Sequence, residues 1–489
     1  MKIFNIIFVL VLLLCFSSAC KKGWLDVTAS NEIKAEEQFK TASGYRDALM
    51  GVYISMTDPA LYAKDMTWNL VDLLSQQYAS LSNFALYDQV QQFNYRSTEA
   101  TPQIDAIWNK AYNSIANINI ALDAMETHPD VLVPLEHDLI RGELLGLRAF
   151  LHFDLIRLYG HSAYAQRPEL KSKATIPYLR TFSKDLTPQL SYQETFSLLE
   201  KDIQESLKLL EEDPVFPNPD RGANYYAELN RNGFYNDRQL RMNYYAVKAL
   251  QARVLSWQGG GKMQQAGEAA EAVIQYAQAT LIPPGTDVSG DRVLSSEHLF
   301  GLNVMAFADI VNPFLDADQV TDYNALFMIN AVAQDVYETE DEYIGLADFR
   351  YNTLLSQQTK GSVSIKLLQN GSSRPQNVMP LIRIPEMYYI AAEAYSSGNR
   401  SKAIDYLNQV RASRGIISML PVDLDDIAFD EALLKAYRKE FVSEGQLFFF
   451  YKRRGLKHIP GLSDALEAND TIYMLPYPDS ETEFGNRVQ

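Results

Sequence analysis

Glu143-Leu144-Leu145-Gly146-Leu147-Arg148-Ala149-Phe150-Leu151-His152-Phe153-Asp154-Leu155-Ile156-Arg157-Leu158-Tyr159-Gly160 is the run that decides the fold. Leu144, Leu147, Leu151, Leu155 and Leu158 recur at three- and four-residue steps, which puts them on one face of a helix predicted over 136–159. Gly160 predicts its end. Glu143 and Arg148 lie on this otherwise apolar helix, as do Arg383 and Glu393 on a second one. An unpaired buried charge costs roughly several kcal/mol, so each is expected to meet a partner between packed helices.

The same period extends outward. A first helix is predicted over 44–56. Another covers 101–126, where Ile104, Ile107, Trp108, Ala111, Ile115, Ile118 and Leu122 share the helical step. A third covers 191–210, opened by Ser191 and Glu194 in the spacing of a capping box. Pro214, Pro217 and Pro219 then break the chain, which sets an internal boundary running to about Asp237. Beyond it, predicted helices 242–258 and 263–279 flank Gly259-Gly260-Gly261, and 385–397 and 400–413 flank Gly398. Ala249, Ala252 and Ala266 in one pair, and Ala391, Ala394 and Ala403 in the other, let antiparallel helices approach closely. The pattern is similar to tetratricopeptide pairs. A last helix is predicted over 430–451, ending in Lys452-Arg453-Arg454-Gly455, whose charges complement its carbonyl end. The fold class is therefore mainly α, a tetratricopeptide-like helical-repeat scaffold. Residues 281–379 form a long loop-rich insertion, and irregular segments on a rigid body usually carry function.

At the amino terminus, Lys2 precedes an unbroken apolar run from Ile6 to Phe16, the length of a secretory h-region rather than of the ~20 residues a membrane span needs. Ser17, Ser18 and Ala19 precede Cys20 as in a bacterial lipobox, with Ser17 where leucine is usual. Residues 1–19 are thus predicted to be a lipoprotein signal peptide, and Cys20 the lipidated first residue of a membrane-anchored chain. The sequence has two cysteines, and Cys15 falls in the removed segment, so no disulfide is expected. The formal charge of −17 becomes one unit more negative when Lys2 is lost, which disfavours nucleic-acid binding.

Trp24-Leu25-Asp26-Val27 after the cysteine, the 143–160 helix, and Arg383-Ile384-Pro385-Glu386-Met387-Tyr388-Tyr389 running on to Ala394 form a set with Arg438-Lys439-Glu440-Phe441, Glu444-Gly445-Gln446 and Leu475-Pro476-Tyr477-Pro478. Together these stretches resemble the outer-membrane nutrient-binding lipoproteins of Bacteroidota, the starch-utilisation D and RagB-like (SusD/RagB-like) family. Gln446 and Phe448-Phe449-Phe450-Tyr451 depart from the family pattern. The resemblance implies a surface-exposed outer-membrane lipoprotein that binds oligosaccharides or peptides and passes them to a SusC-like TonB-dependent transporter, with the helical-repeat face against that partner. It divides the mature chain into an N-terminal region 20–237 and a C-terminal region 238–489.

Site residues are expected from the chemistry of two irregular segments. In 68–96, Trp68, Tyr78, Phe84, Tyr87 and Tyr95 could stack on sugar faces, while Asp72, Gln76, Gln77 and Asn83 bond hydroxyls. Phe314, Asp316, Tyr323 and Phe327 of the insertion could complete the cleft. No cofactor and no metal are expected, since no two of the six histidines stand at i, i+4 and the Gly and distal Glu of a calcium loop are missing around Asp423, Asp425 and Asp426. Those aspartates suit a turn and helix start. Nucleophile-elbow and phosphate-loop motifs are absent too, so a non-enzyme is expected. Two alternatives stand beside it: a lipid-anchored glycoside hydrolase using paired carboxylates such as Asp316 and Asp318, and a non-catalytic protein-interaction scaffold.

Overall fold

The computed structural model describes residues 37–217, 225–316, 326–371, 374–463 and 466–489. The signal at 1–19, Cys20, the Trp24–Val27 stretch and Tyr323 lie outside the described residues. In the N-terminal region the helices are α1 (Ala42–Met56), α2 (Leu70–Leu73), α3 (Ala85–Gln91), α4 (Thr101–Thr127), α5 (Pro134–Tyr159) and α6 (Tyr192–Leu209). Then come α7 (Tyr244–Gln258), α8 (Met263–Tyr276), α9 (Phe307–Leu315), α10 (Asn330–Tyr337), α11 (Phe349–Thr353), α12 (Ile384–Tyr395) and α13 (Arg400–Ser413). The last long ones are α14 (Asp426–Glu440) and α15 (Gln446–Arg454). The fold is mainly helical, as the periodicity predicts.

Helix α5 is the central element. Every residue from Gly142 to Tyr159 is buried, so the expected single apolar face is in fact a helix covered on all sides. Gly160 ends it in extended backbone (φ −87°), not in a left-handed turn. The four expected charges all find partners. Arg148 makes two 2.7 Å bonds to Asp202 of α6, and Glu143 accepts from Arg238 at 2.6 Å and Arg241 at 2.9 Å. Glu393 pairs with Arg453 at 2.5 Å and Arg454 at 2.8 Å. Arg383 bonds Glu297 at 2.8 Å and Glu440 at 2.7 Å, with every one of these three side chains fully buried.

Helical pairs stack as the alanines predict. Ala249, Ala252, Ala266, Ala391 and Ala403 are buried. The α7–α8 pair meets the α12–α13 pair through α8 and α12, where a Cβ on Gly267 would stand 2.7 Å from Cβ of Ala394. Only glycine permits that approach. Helix α6 opens with the expected capping box between Ser191 and Glu194, and Asp425 caps α14 by accepting from Ala428 N at 2.8 Å. One buried cluster runs from Phe39 to Tyr477 and so joins both regions of the chain.

Two expectations are corrected. The insertion is not merely loop: besides α9, α10 and α11 it holds β3 of a ribbon and a small sheet. Strands β1 (Ala174–Pro177) and β2 (Gln189–Ser191) pair ahead of it, and β3 (His298–Asn303) pairs antiparallel with β7 (Val378–Arg383). Strands β4 (Phe327–Met328), β5 (Leu355–Gln358) and β6 (Gly361–Ser364) form an antiparallel sheet in the order β4-β6-β5. The helix predicted over 430–451 is in fact two, α14 and α15, separated by a turn in which Ser443 (φ +64°) and Gly445 (φ +71°) are left-handed. A Cβ on Gly445 would meet Thr67 O at 2.6 Å, so both the backbone conformation and the packing require glycine.

Candidate ligand-binding site

Residues 68–96 and the insertion do meet. The Ala79 amide donates to the Phe327 carbonyl at 2.8 Å, which ties β4 to the first irregular segment. Phe314, at the end of α9, lies edge-on to Trp68 with centroids 5.4 Å apart and tilted to Tyr87 at 6.3 Å. Phe84 packs on Tyr87 at 4.4 Å. An aromatic cluster thus spans the two segments, built from α3, α9 and the turns around α2.

Within it the side chains divide by burial. Trp68, Tyr87, Tyr78 and Tyr95 are buried, and their polar tips bond to protein. Trp68 Nε1 donates to Ala63 O at 2.8 Å, Asn69 Nδ2 donates to the Tyr87 hydroxyl at 2.8 Å, and the Tyr95 hydroxyl donates to Ile472 O at 2.5 Å. The rings of Trp68 and Tyr87 supply the backing of the cluster rather than its outer face. Asp72 is also buried. It accepts from the Tyr78 hydroxyl, from Ser443 N at 2.9 Å and from Gly445 N at 3.1 Å. Burial pushes its carboxyl up to about 7, against the pull of those donors. Gln77 bonds Arg438 through both ends of its amide, at 3.3 Å each.

The accessible members are fewer. Phe84, Phe314, Phe327, Gln76 and Asp316 are half-buried, and Asn83 is exposed. Gln76 is left-handed (φ +60°) and donates to Gln91 O at 3.1 Å. The residue types alone did not single out Lys64, whose Nζ lies 5.3 Å from the Phe314 centroid. It adds a cation–π contact and a donor beside the aromatic rim. Neighbouring Asp65, buried and bonded by Gln103, has its carboxyl pushed up to about 6 by burial. The adjacent Lys64-Asp65 pair is the only signal that the sequence offered for them.

The histidines are structural where the surroundings are clear. His152 is buried between Arg148 O at 2.9 Å and the Leu179 amide at 3.0 Å, and burial lowers its pKa to about 3. His298 bonds Val293 O at 2.8 Å. Among the described residues no group of three His, Cys, Asp or Glu side chains has metal-binding geometry, and no helix is long and apolar enough to cross a membrane.

With this geometry in place, residues 23–231 match a family described as starch-binding, associating with outer membrane, and residues 311–482 match the SusD family. The chain belongs to the SusD/RagB-like family. Its SusD-like fold is shared with a SusD superfamily protein from Bacteroides thetaiotaomicron, 19% identical over 92% of this chain and 99% of that one, with a TM-score of 0.66. A SusD-like carbohydrate binding protein from Bacteroides vulgatus is 17% identical over 90% and 96%, with a TM-score of 0.68. Surface glycan-binding protein A of Bacteroides thetaiotaomicron, solved with laminarihexaose, is 16% identical over 92% and 99%, with a TM-score of 0.68. At such identities these SusD-family likenesses are likenesses of fold. No curated protein matches the sequence.

Proposed function

We propose that this SusD-family chain is an outer-membrane lipoprotein that binds oligosaccharides, or peptides, and delivers them to a SusC-like TonB-dependent transporter for uptake. The observation that carries the reading is the half-buried aromatic pair at the rim, Phe84 and Phe314, which meet across Tyr87 from two irregular segments on a rigid helical body, with Lys64 beside Phe314 and Asn83 and Asp316 close to them in the chain. Such a rim offers flat apolar faces to a sugar ring, and the amides and charges beside it offer partners for hydroxyls. Trp68 and Tyr87 stiffen it from behind. Family membership and the glycan-bound relative of the same fold support carbohydrate as the ligand.

The anchor at Cys20 and the tether that follows would keep the chain at the membrane, at ~0.8 kcal/mol per buried acyl methylene, while leaving the body free to swing over a transporter. On this reading the protein acts by binding; among the described residues, Asp72, Asp202, His152 and His298 are buried and bonded to protein groups, which supports a packing role for them. Solubilising outer membranes in mild detergent and purifying the tagged chain tests the partnership. A co-purifying TonB-dependent transporter in fixed ratio is expected, and purification of the chain alone after chemical cross-linking would contradict it.

A further inference from the structure

Strands β1 and β2 are joined by residues 178–188, and the outward half of that connection follows α4 toward its C-terminal end. The Tyr112 hydroxyl donates to Pro177 O at 2.8 Å, Asn119 Nδ2 to Leu179 O at 3.2 Å, and the Phe182 amide to Asp123 at 3.1 Å. From α5, Arg148 Nη1 donates to Arg180 O at 3.0 Å. The backbone is therefore tied down as far as Phe182. Around and beyond that last tie, residues 181–186 are all exposed, with Phe182 at 54% and Leu186 at 64%. Arg180 and Lys184, also exposed, alternate with them in the run Arg180-Thr181-Phe182-Ser183-Lys184-Asp185-Leu186. Single exposed apolar side chains are ordinary on a protein surface. Two on one short loop, interleaved with cations, suit contact with lipid: the apolar groups enter the acyl boundary while the long basic stems reach back to the headgroups.

We infer that this loop docks on the bilayer surface that holds the anchor at Cys20. The position of the anchored end decides for lipid as the occupant. The Tyr45 hydroxyl donates to Ala124 O at 2.9 Å, and the Phe39 ring packs on Tyr45 with centroids 4.8 Å apart. The first described residues thus gather at the C-terminal end of α4, next in the helix to the Asp123 that holds Phe182. The turn from α4 to α5 lies at this end too and adds Val133, 57% exposed. The span from Cys20 to residue 37 reaches at most about 60 Å. A lipid-held Cys20 would keep this end of the body within reach of the membrane at an effective concentration on the order of millimolar, where weak insertion suffices. The inference rests on the lipoprotein reading for that proximity alone. Charge decides the kind of contact. The chain carries −17 overall and Asp185 offsets one loop cation, so attraction to anionic headgroups is not what drives docking; burial of Phe182 and Leu186 is.

Vesicle flotation of the soluble Cys20→Ala chain, begun at residue 20, tests the docking. That chain has no anchor, so docking is separated from lipidation. With neutral phosphatidylcholine vesicles at millimolar lipid, part of the protein is expected to float, and equally at low and high salt. The double substitution Phe182→Ser and Leu186→Ser should weaken vesicle binding about tenfold or more. Ile417→Ser, at a comparably exposed apolar position of the C-terminal region, should leave it unchanged. All three positions are exposed, so each variant should keep the wild-type thermal melt. No flotation of the soluble chain, equal flotation of the double variant, or flotation confined to anionic vesicles and abolished by salt would overturn the docking. Lipidation is read separately, from the membrane fraction of cells that make the wild-type chain; a wild-type chain found only in the soluble fraction would overturn the anchor and leave the vesicle result to decide the docking.

Discussion

The carboxylate of Asp72 accepts the Gly445 amide at 3.1 Å, so a residue of the first irregular segment holds the turn that separates the last two long helices. The same group takes the Ser443 amide at 2.9 Å. Site and scaffold are therefore joined at one buried side chain. Asp72→Ala strands both amides and the Tyr78 hydroxyl, and should cost about 2–4 kcal/mol in urea unfolding. Retention of full stability would mean that the turn holds itself.

Titration of Asp72 has a definite sign. Burial raises its carboxyl from 3.8 to about 7, so between roughly pH 4 and pH 7 the native state keeps a proton that the unfolded chain has lost. Stability falls as pH rises through that window. Asp65, raised to about 6, acts in the same direction. Thermal melts of Asp72→Asn across the window should show a shallower decline than the wild type.

A buried ionic network gives the opposite response. Arg414 and Arg383 meet Glu297 and Glu440, Arg350 joins Asp348 to Glu440, and Lys366 reaches Glu444, all within the core. Burial works against the charge on Glu440, but Arg414, Arg383 and Arg350 more than offset it and hold its carboxyl well below the usual range. The stability this contributes is full above the unfolded value near 4.5 and is lost as pH falls through the lower native one. Glu440→Gln should cost about 3–5 kcal/mol at neutral pH, since it leaves buried guanidinium groups short of a counter-charge. Denaturant melts at neutral and acidic pH check both statements.

Much of this architecture is legible in the sequence because it is local. The α5 period, the Ser191 capping box and the alanine seams each need only a few neighbouring residues to be recognised. The break between α14 and α15 was hidden because Asp72, some 370 residues earlier in the chain, imposes it. The strands of the insertion were hidden because β3 finds its partner only at β7. Composition points to aromatics in these two segments but cannot rank them. Trp68 and Phe84 are equally aromatic, and only packing reveals that the first is 1% exposed while the second is half-buried.

That ranking predicts different mutant behaviour on the two sides of the cluster. Phe84→Ala, at the half-buried rim, should weaken oligosaccharide binding about tenfold and leave the melting temperature nearly unchanged. Trp68→Ala should instead destabilise the fold by about 3–5 kcal/mol. Calorimetric titration beside a thermal melt separates the two.

Titration of a glycan and peptide panel into the soluble Cys20→Ala protein, with the sugars analysed afterwards for new reducing ends, tests the central claim most directly. Saturable binding of an oligosaccharide or peptide, with every ligand recovered intact, is the predicted result. Cleavage of a bound glycan, or no binding across the panel, would contradict the account of this protein as a capturing lipoprotein.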